Sequence, residues 1–275
     1  QFVSLRQFLT EVMFAPFDVV LHYDRGKGIR VRKGGDHFHR FLKAFDTFQG
    51  TSWASLPDAG ADKMESLDLS GLLPREPKRA LEIIDRFLRS ALARTKIQDG
   101  KAVADPLKVA VLIDYAHYVA PAGEALYVSG DLSQSIIQIL DWSSDPAITG
   151  SFGATVLITE TLSDLSGILV ENPYSAKIQV PIPSADDLRD YLRELAVSAN
   201  FEAICEVPAA TLAERLVGLT RVNLRNLVQR ASTGGEKITD KYLMKVKKEA
   251  IEREAFGRLE FLESTRTLDD VAGHV

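Results

Sequence analysis

The chain has 275 residues, 45% of them hydrophobic and 26% charged, with a formal net charge of −5. Those are the proportions of a soluble globular protein with enough chain for one large or two modest domains. The acidic balance argues against a general nucleic-acid footprint, and no run approaches the roughly 18 apolar residues of a helical membrane span. Cys205 is the single cysteine, so there is no internal disulfide, and a cytoplasmic location is expected.

From the N-terminus, Phe2–Phe14 reads as a short amphipathic helix with Phe2, Leu5, Leu9, Val12 and Met13 on one face, ended by Pro16. Asp18–His22 reads as a strand, and Ile29–Lys33 as a second, with Ile29 and Val31 alternating against Arg30 and Arg32. Between them, Tyr23–Gly28 invites comparison with the phosphate-cradling loop G-x-x-x-x-G-K-S/T, which needs free backbone N–H groups, a lysine and a hydroxyl. Gly26-Lys27-Gly28-Ile29 has neither the earlier glycine nor the hydroxyl. Two readings stay open: a plain hairpin turn, or Lys27 as a phosphate ligand.

Asp36–Phe48 has helical spacing through Phe38, Phe41, Leu42 and Phe45. His37 and His39 would point in different directions on that helix, with no third ligand nearby, so no metal site is expected. Thr51–Lys63 reads as a loop, Ser66–Leu73 as a strand, and Pro74–Pro77 leads into a helix over Lys78–Leu92 with Leu81, Ile84, Phe87, Leu88 and Ala91 on one stripe. Thr95–Pro106 reads as a surface loop. Then comes Lys108–His117, whose run Val109–Ile113 closes on Asp114: a buried central strand with a carboxylate at its C-terminal end, where parallel sheets place ligands.

Pro121–Ser129 reads as an excursion and Asp131–Trp142 as a helix; Gly153–Thr159 is expected as another buried strand and Lys177–Pro181 as a short one. Strands alternating with helices predict a parallel sheet with crossovers. The remainder is helical. Ser184 and Asp187 form a capping-box variant, Leu188, Tyr191, Leu192 and Leu195 an apolar face, and Gly218 closes the next helix. Thr220 caps Val222–Ala231, and Thr239 begins a charged helix running to about Leu262. On that helix and just before it, Lys237, Lys241, Lys245, Lys247 and Lys248 interleave with Glu236, Asp240, Glu249, Glu252 and Glu254. An ion-paired solvated face accounts for this better than a nucleic-acid adaptor.

This order of parts resembles the AAA+ ATPase module, an α/β domain with a three-layer parallel sheet of the P-loop NTPase type and a C-terminal helical lid. Val180–Arg189 looks like the sheet-to-lid crossing, Gly153–Thr161 like the sensor 1 strand, and Gly218–Arg225 like the opening of the sensor 2 helix. Asp114 stands at the Walker B position, where the family holds Mg²⁺. Leu259–Glu263 followed by Thr267–Gly273 looks like the approach to a second module that opens on Asp269-Asp270-Val271-Ala272-Gly273. In this the chain is similar to the tandem AAA proteins of cyanobacterial and plastid hypothetical open reading frames.

The resemblance implies a degenerate AAA-like domain over residues 1–183, a lid over 184–257 and a linker over 258–275 into a following AAA module of the same chain. It implies Lys27, Asp114, Thr159, Arg221 and Arg225 as nucleotide-proximal remnants, ATP or ADP with Mg as cofactor, neighbouring subunits in a hexamer of the parent, and a protein substrate. The departures concern catalysis. The glycine cradle is absent, Tyr115 stands where hydrolytic members carry a glutamate, and no arginine lies in Glu171–Lys177, where the resemblance places a trans-acting finger. A non-hydrolysing domain is therefore expected, with no catalytic residue. The surviving residues also have plain readings: Asp114 capping a turn, Thr159 ending a strand, and the two arginines on a solvated helix face.

Overall fold

The computed structural model describes residues 3–54, 67–68, 72–123, 130–151, 153–198, 205–234 and 237–254. It divides into two compact units, Gln1–Lys177 and Ile178–Val275.

In the first unit a five-stranded sheet has the order β3-β2-β1-β6-β7. Strands β1 (Val19–Asp24) and β6 (Val109–Ile113) are buried along their whole length; β6 is the unbroken apolar run that a strand covered on both faces requires, while β1 carries His22 and Asp24 into the interior. They pair in parallel, Val19 opposite Val109, and β6 pairs in parallel with β7 (Gly153–Leu157). Strand β2 (Gly28–Lys33) folds back antiparallel on β1, and β3 (Leu67–Asp68) adds two residues at its far edge. The turn between β1 and β2 is a hairpin held by Asp24, whose Oδ1 accepts from the N–H groups of Gly26 (2.9 Å) and Lys27 (2.7 Å). Gly28 there takes φ +78°, a conformation suited to glycine.

One face of the sheet carries α2 (Gly35–Gln49), α3 (Pro77–Leu92) and α4 (Gly130–Ser144). Phe38 and Phe87 meet with ring centroids 4.9 Å apart, and Trp142 is buried while its Nε1–H donates to Asp85 Oδ1 at 2.9 Å. The short helix α5 (Pro146–Thr149) leads back to β7. The other face is thinner: Leu9 and Phe14 cover Val20, Ala110 and Leu112, with Phe17, Ala154, Val156 and Ile158 only half-buried beside them.

Four expectations are corrected. The N-terminal helix is not one regular amphipathic stretch. A single α-turn, α1 (Leu5–Phe8), passes into a π-helix over Leu9–Met13, closed by the bond from Phe14 N–H to Leu9 O. The wider turn breaks the 3.6-residue register, so Leu9 is buried while Leu5, Val12 and Met13 are exposed. Thr95–Pro106 is not a loop but a hairpin, β4 (Thr95–Gln98) against β5 (Lys101–Ala104), turning through Asp99 and Gly100 at φ 50° and 74°. That is the Asp-Gly turn that two-residue hairpins favour. Gly153–Thr159 forms a half-exposed edge strand rather than a buried one, because among the described residues nothing pairs beyond β7. Lys177–Pro181 is extended without joining any ladder; Pro181, like Pro183, has no N–H to give.

Beyond β7 lies α6 (Gly167–Val170). The second unit is helical: α7 (Ala185–Ser198), α8 (Ala209–Arg215), α9 (Arg221–Gly234) and α10 (Asp240–Glu254). Leu188, Leu192, Leu212, Leu216, Leu224, Leu227 and Ile238 make its core. Ser184 and Asp187 exchange hydrogen bonds at the start of α7, which hold the Asp187 carboxyl below its usual range. Thr220 Oγ1 accepts from Asn223 N–H at 3.2 Å and caps α9. Thr220→Ala should therefore cost about 1 kcal/mol of the helical unit's stability. Urea unfolding followed by circular dichroism would show it; an unchanged midpoint would mean that the cap contributes nothing.

No helix among the described residues is long and apolar enough to cross a membrane. The expected loop over Thr51–Lys63 and strand over Ser66–Leu73 lie partly outside the described residues. Pro121–Ser129 does so beyond Gly123, the long helix beyond Glu254, and Leu259–Gly273 entirely.

Candidate functional site

Strands β1, β6 and β7 run parallel and end together, so their C-terminal edge gathers Asp24, Asp114, Tyr115 and Thr159. This is the edge at which open α/β sheets bind ligands.

Asp114 is fully buried, and its N–H donates to Tyr23 O at 2.8 Å. Its carboxylate is ringed by cationic or ionisable groups: Arg6 Nε at 2.9 Å, His22 Nδ1 at 3.8 Å and Arg30 Nη2 at 3.8 Å. Arg30 is itself buried and also pairs with Asp24. Arg6, from α1, lies over the Tyr115 ring at 5.2 Å from its centroid. Its hydrogen bond to Tyr115 and its contact with Asp114 raise the guanidinium pKa further above an already high value. Tyr115 holds φ +51°, a left-handed conformation that costs a non-glycine residue about 1–2 kcal/mol. That bend lets Ala116 N–H reach Ile158 O at 2.9 Å, tying the β6 and β7 ends together.

His22 sits beneath this pair. Thr10 Oγ1 donates to Arg6 O at 2.8 Å, so at its 3.0 Å contact with His22 Nε2 the hydroxyl is the acceptor and the imidazole carries its proton on Nε2. Burial, only partly offset by Asp114, pushes the imidazole pKa down to about 4.

The other expected site residues do not join this cluster. Lys27 is exposed at the tip of the β1–β2 hairpin. Thr159 Oγ1 donates to Thr161 O at 3.1 Å and contacts His117 Nδ1 at 3.2 Å. In the helical unit, Arg221 pairs with Asp187 at 3.7 Å and Arg225 is exposed on α9. Sequence reasoning missed Arg6, His22 and Arg30, whose single readable signal was two polar residues, His22 and Arg30, facing each other across a hairpin otherwise apolar at its core. A cavity of about 460 Å³ lies beyond the β7 end, lined among others by Ala122, Leu162, Gly167 and Lys177; none of the expected nucleotide-proximal residues lines it.

A magnesium nucleotide does not fit this edge as built. The place beside Asp114 is taken by the Arg6 guanidinium, and the β1–β2 turn spends two of its N–H groups on Asp24.

No curated protein matches the chain. Among solved structures it is similar to a chain of the HORMA:CdnC:Trip13 complex of E. coli MS115-1, at 12% identity over 82% of this chain and 72% of that one, with a TM-score of 0.44. Two family models match in succession: the AAA+ chaperone N-terminal Rossmann-like domain over residues 1–181, and the AAA+ chaperone second helical domain over residues 187–256. With an α/β unit followed by a helical one, and with both matches in that order, the chain belongs to the AAA+ chaperone family.

Proposed function

We propose that this chain is a non-hydrolysing module of a larger AAA+ chaperone, serving oligomer assembly or the recruitment of a protein substrate while a following module in the same chain turns over ATP. One observation supports the reading: the Asp114 carboxylate, to which the sequence resemblance gives the Mg²⁺ position, is buried against Arg6 as its counter-ion. Tyr115, in place of a carboxylate, spends its side chain on the same arginine. The layout proposed with it is an AAA-like domain over 1–183, a lid over 184–257 and a linker beyond, in a cytoplasmic protein whose parent assembles with neighbouring subunits as a hexamer. Lys27, Thr159, Arg221 and Arg225 are then remnants of a nucleotide site. A nucleic-acid role has less support, since Lys237 pairs with Glu206 at 3.4 Å and Lys247 donates to Arg215 O at 3.2 Å.

The test is ATP turnover together with thermal unfolding in millimolar ATP or ADP, with and without Mg²⁺. No phosphate release above a buffer control and an unchanged Tm are expected. A ligand that binds only the folded state must raise Tm, so a clear rise without turnover would convert the reading to a nucleotide-binding regulatory domain. Turnover that disappears in Asp114→Ala would overturn it.

A further inference from the structure

We infer that the free edge of β7 is an acceptor for an added parallel strand, and that the strand it takes is the segment Ile178–Ile182 of a second copy of this chain. This rests on the assembly reading above and gives it a place in the molecule.

The two edges of the sheet are treated differently. At one edge, the described part of β3 is Leu67–Asp68, which sets a charged side chain on the edge strand. At the other, β7 reads Gly-Ala-Thr-Val-Leu, with no charge, no proline and, among the described residues, no partner beyond it. Its polarity can be worked out. Ile158 N–H donates to Ile113 O, so Ile158 faces β6, and by alternation so do Val156 and Ala154. The N–H and C=O groups of Gly153, Thr155 and Leu157 therefore point outward, unpaired among the described residues.

The chain contains a segment matching this edge. Ile178, Val180 and Ile182 are 78%, 66% and 58% exposed on an extended stretch that joins no ladder. Its alternate residues are Gln179, Pro181 and Pro183. A parallel strand turns successive residues' backbone groups to opposite sides, so only one of the two sets can face β7. If Ile178, Val180 and Ile182 face it, three N–H groups meet the outward groups of β7. Pro181 and Pro183, which have no N–H, then form the new outer edge and stop further addition. The opposite choice would put both prolines against the acceptor.

The same register settles the side chains. In parallel pairing Gln179 or Pro181 stands opposite Thr155 or Leu157, so Ile178, Val180 and Ile182 share the face of Ala154, Val156 and Ile158. That is the half-covered apolar face beside Phe17. Donor and acceptor are different surfaces of one chain, so the contact is head-to-tail and propagates around a ring instead of closing a two-fold dimer.

The experiment is sedimentation of the 275-residue chain across a concentration series, for wild type, Val180→Asp, Thr155→Pro and an equimolar mixture of the two variants. Val180 and Thr155 are both exposed, and far-ultraviolet circular dichroism of each variant checks that it is folded. The wild type is expected to rise above its 30.3 kDa monomer mass with concentration. Val180→Asp, which spoils only the donor, should associate at least about tenfold more weakly, one factor of ten being a modest part of a lost interface. Thr155→Pro removes one outward N–H from the acceptor and should do the same. The mixture pairs one intact acceptor with one intact donor and should give a 1:1 dimer and nothing larger. A wild type that assembles together with variants that assemble equally well overturns the strand inference and leaves the assembly reading standing. A wild type that stays monomeric throughout overturns both. Should Thr155→Pro fail to fold, unchanged association of Val180→Asp is by itself enough to overturn the inference.

Discussion

Asp114→Ala lowers the unfolding free energy of the α/β unit by about 3–5 kcal/mol, the usual cost of removing one partner from a buried ion pair. The carboxylate is wholly inaccessible, and it stands between Arg6, Arg30 and His22. Its loss leaves the buried Arg30 to Asp24 alone, and Arg6 with only the Tyr115 ring to hold α1 against the sheet edge. Arg6→Ala should cost less, because that side chain is 46% exposed and its own desolvation is slight. The sign is what separates the two roles open to this residue. A carboxylate kept for a metal is a liability in the metal-free protein, and its removal would be neutral or stabilising; a carboxylate kept as a counter-ion is missed. Both tryptophans, Trp53 and Trp142, lie in the α/β unit, so urea unfolding followed by their fluorescence reports this unit alone. No loss of stability in Asp114→Ala would remove the foundation of the non-hydrolysing reading.

The position of Asp114 was legible in the sequence, and its use was not. A run such as Val109–Ile113 closing on an acid carries its own structural meaning, because burial on both faces demands apolar side chains at every position. Helices α2, α3, α7 and α9 were legible for the same reason, their apolar spacing and caps lying within one segment. What partners Asp114 depends on α1 and the β1–β2 hairpin, far away in the chain, and no local pattern announces that an arginine in the first turn will lie against an acid on the central strand. The π-helix over Leu9–Met13 was illegible too, since one inserted residue shifts the apolar face without leaving a mark in composition. The β4–β5 hairpin is a different kind of miss: Asp99-Gly100 stood between Thr-Lys-Ile-Gln and Lys-Ala-Val-Ala, a readable turn signal. At Ile178–Ile182 the alternation was visible, but whether a strand forms depends on what lies beside it.

Stability should also fall as the pH drops from about 6.5 towards 4, by about 3 kcal/mol in total, through His22 alone. The imidazole is 2% exposed and its folded pKa is depressed from 6.5 to about 4, so between those values the unfolded chain binds a proton that the folded chain refuses. Stability rises with pH wherever the unfolded state holds more protons; the contribution is complete above pH 6.5 and lost by pH 4. Burial is the main cause. Arg32, Arg30 and Arg6 add to it, Asp114 opposes it, and Thr10 is a hydrogen-bond acceptor that suits the proton on Nε2 in either charge state. His37, also held below its ordinary value by burial, acts with the same sign. The carboxyls of Asp46, Asp145 and Asp187 are held below 3.8, so their own losses set in at about pH 5, as the unfolded chain begins to take up protons, and are common to wild type and any His22 variant. His22→Gln keeps a side-chain N–H donor for Thr10 and abolishes the titration. Its stability should therefore be nearly flat between about pH 6.5 and 5, apart from the His37 share, and below that should decline less steeply than the wild type. Asp114→Asn should shift the wild-type decline to lower pH, since it removes the one neighbour that favours the imidazolium. Parallel pH curves for wild type and His22→Gln would mean that His22 titrates as an ordinary solvated histidine, and that the ring of charges around Asp114 is looser than its distances imply.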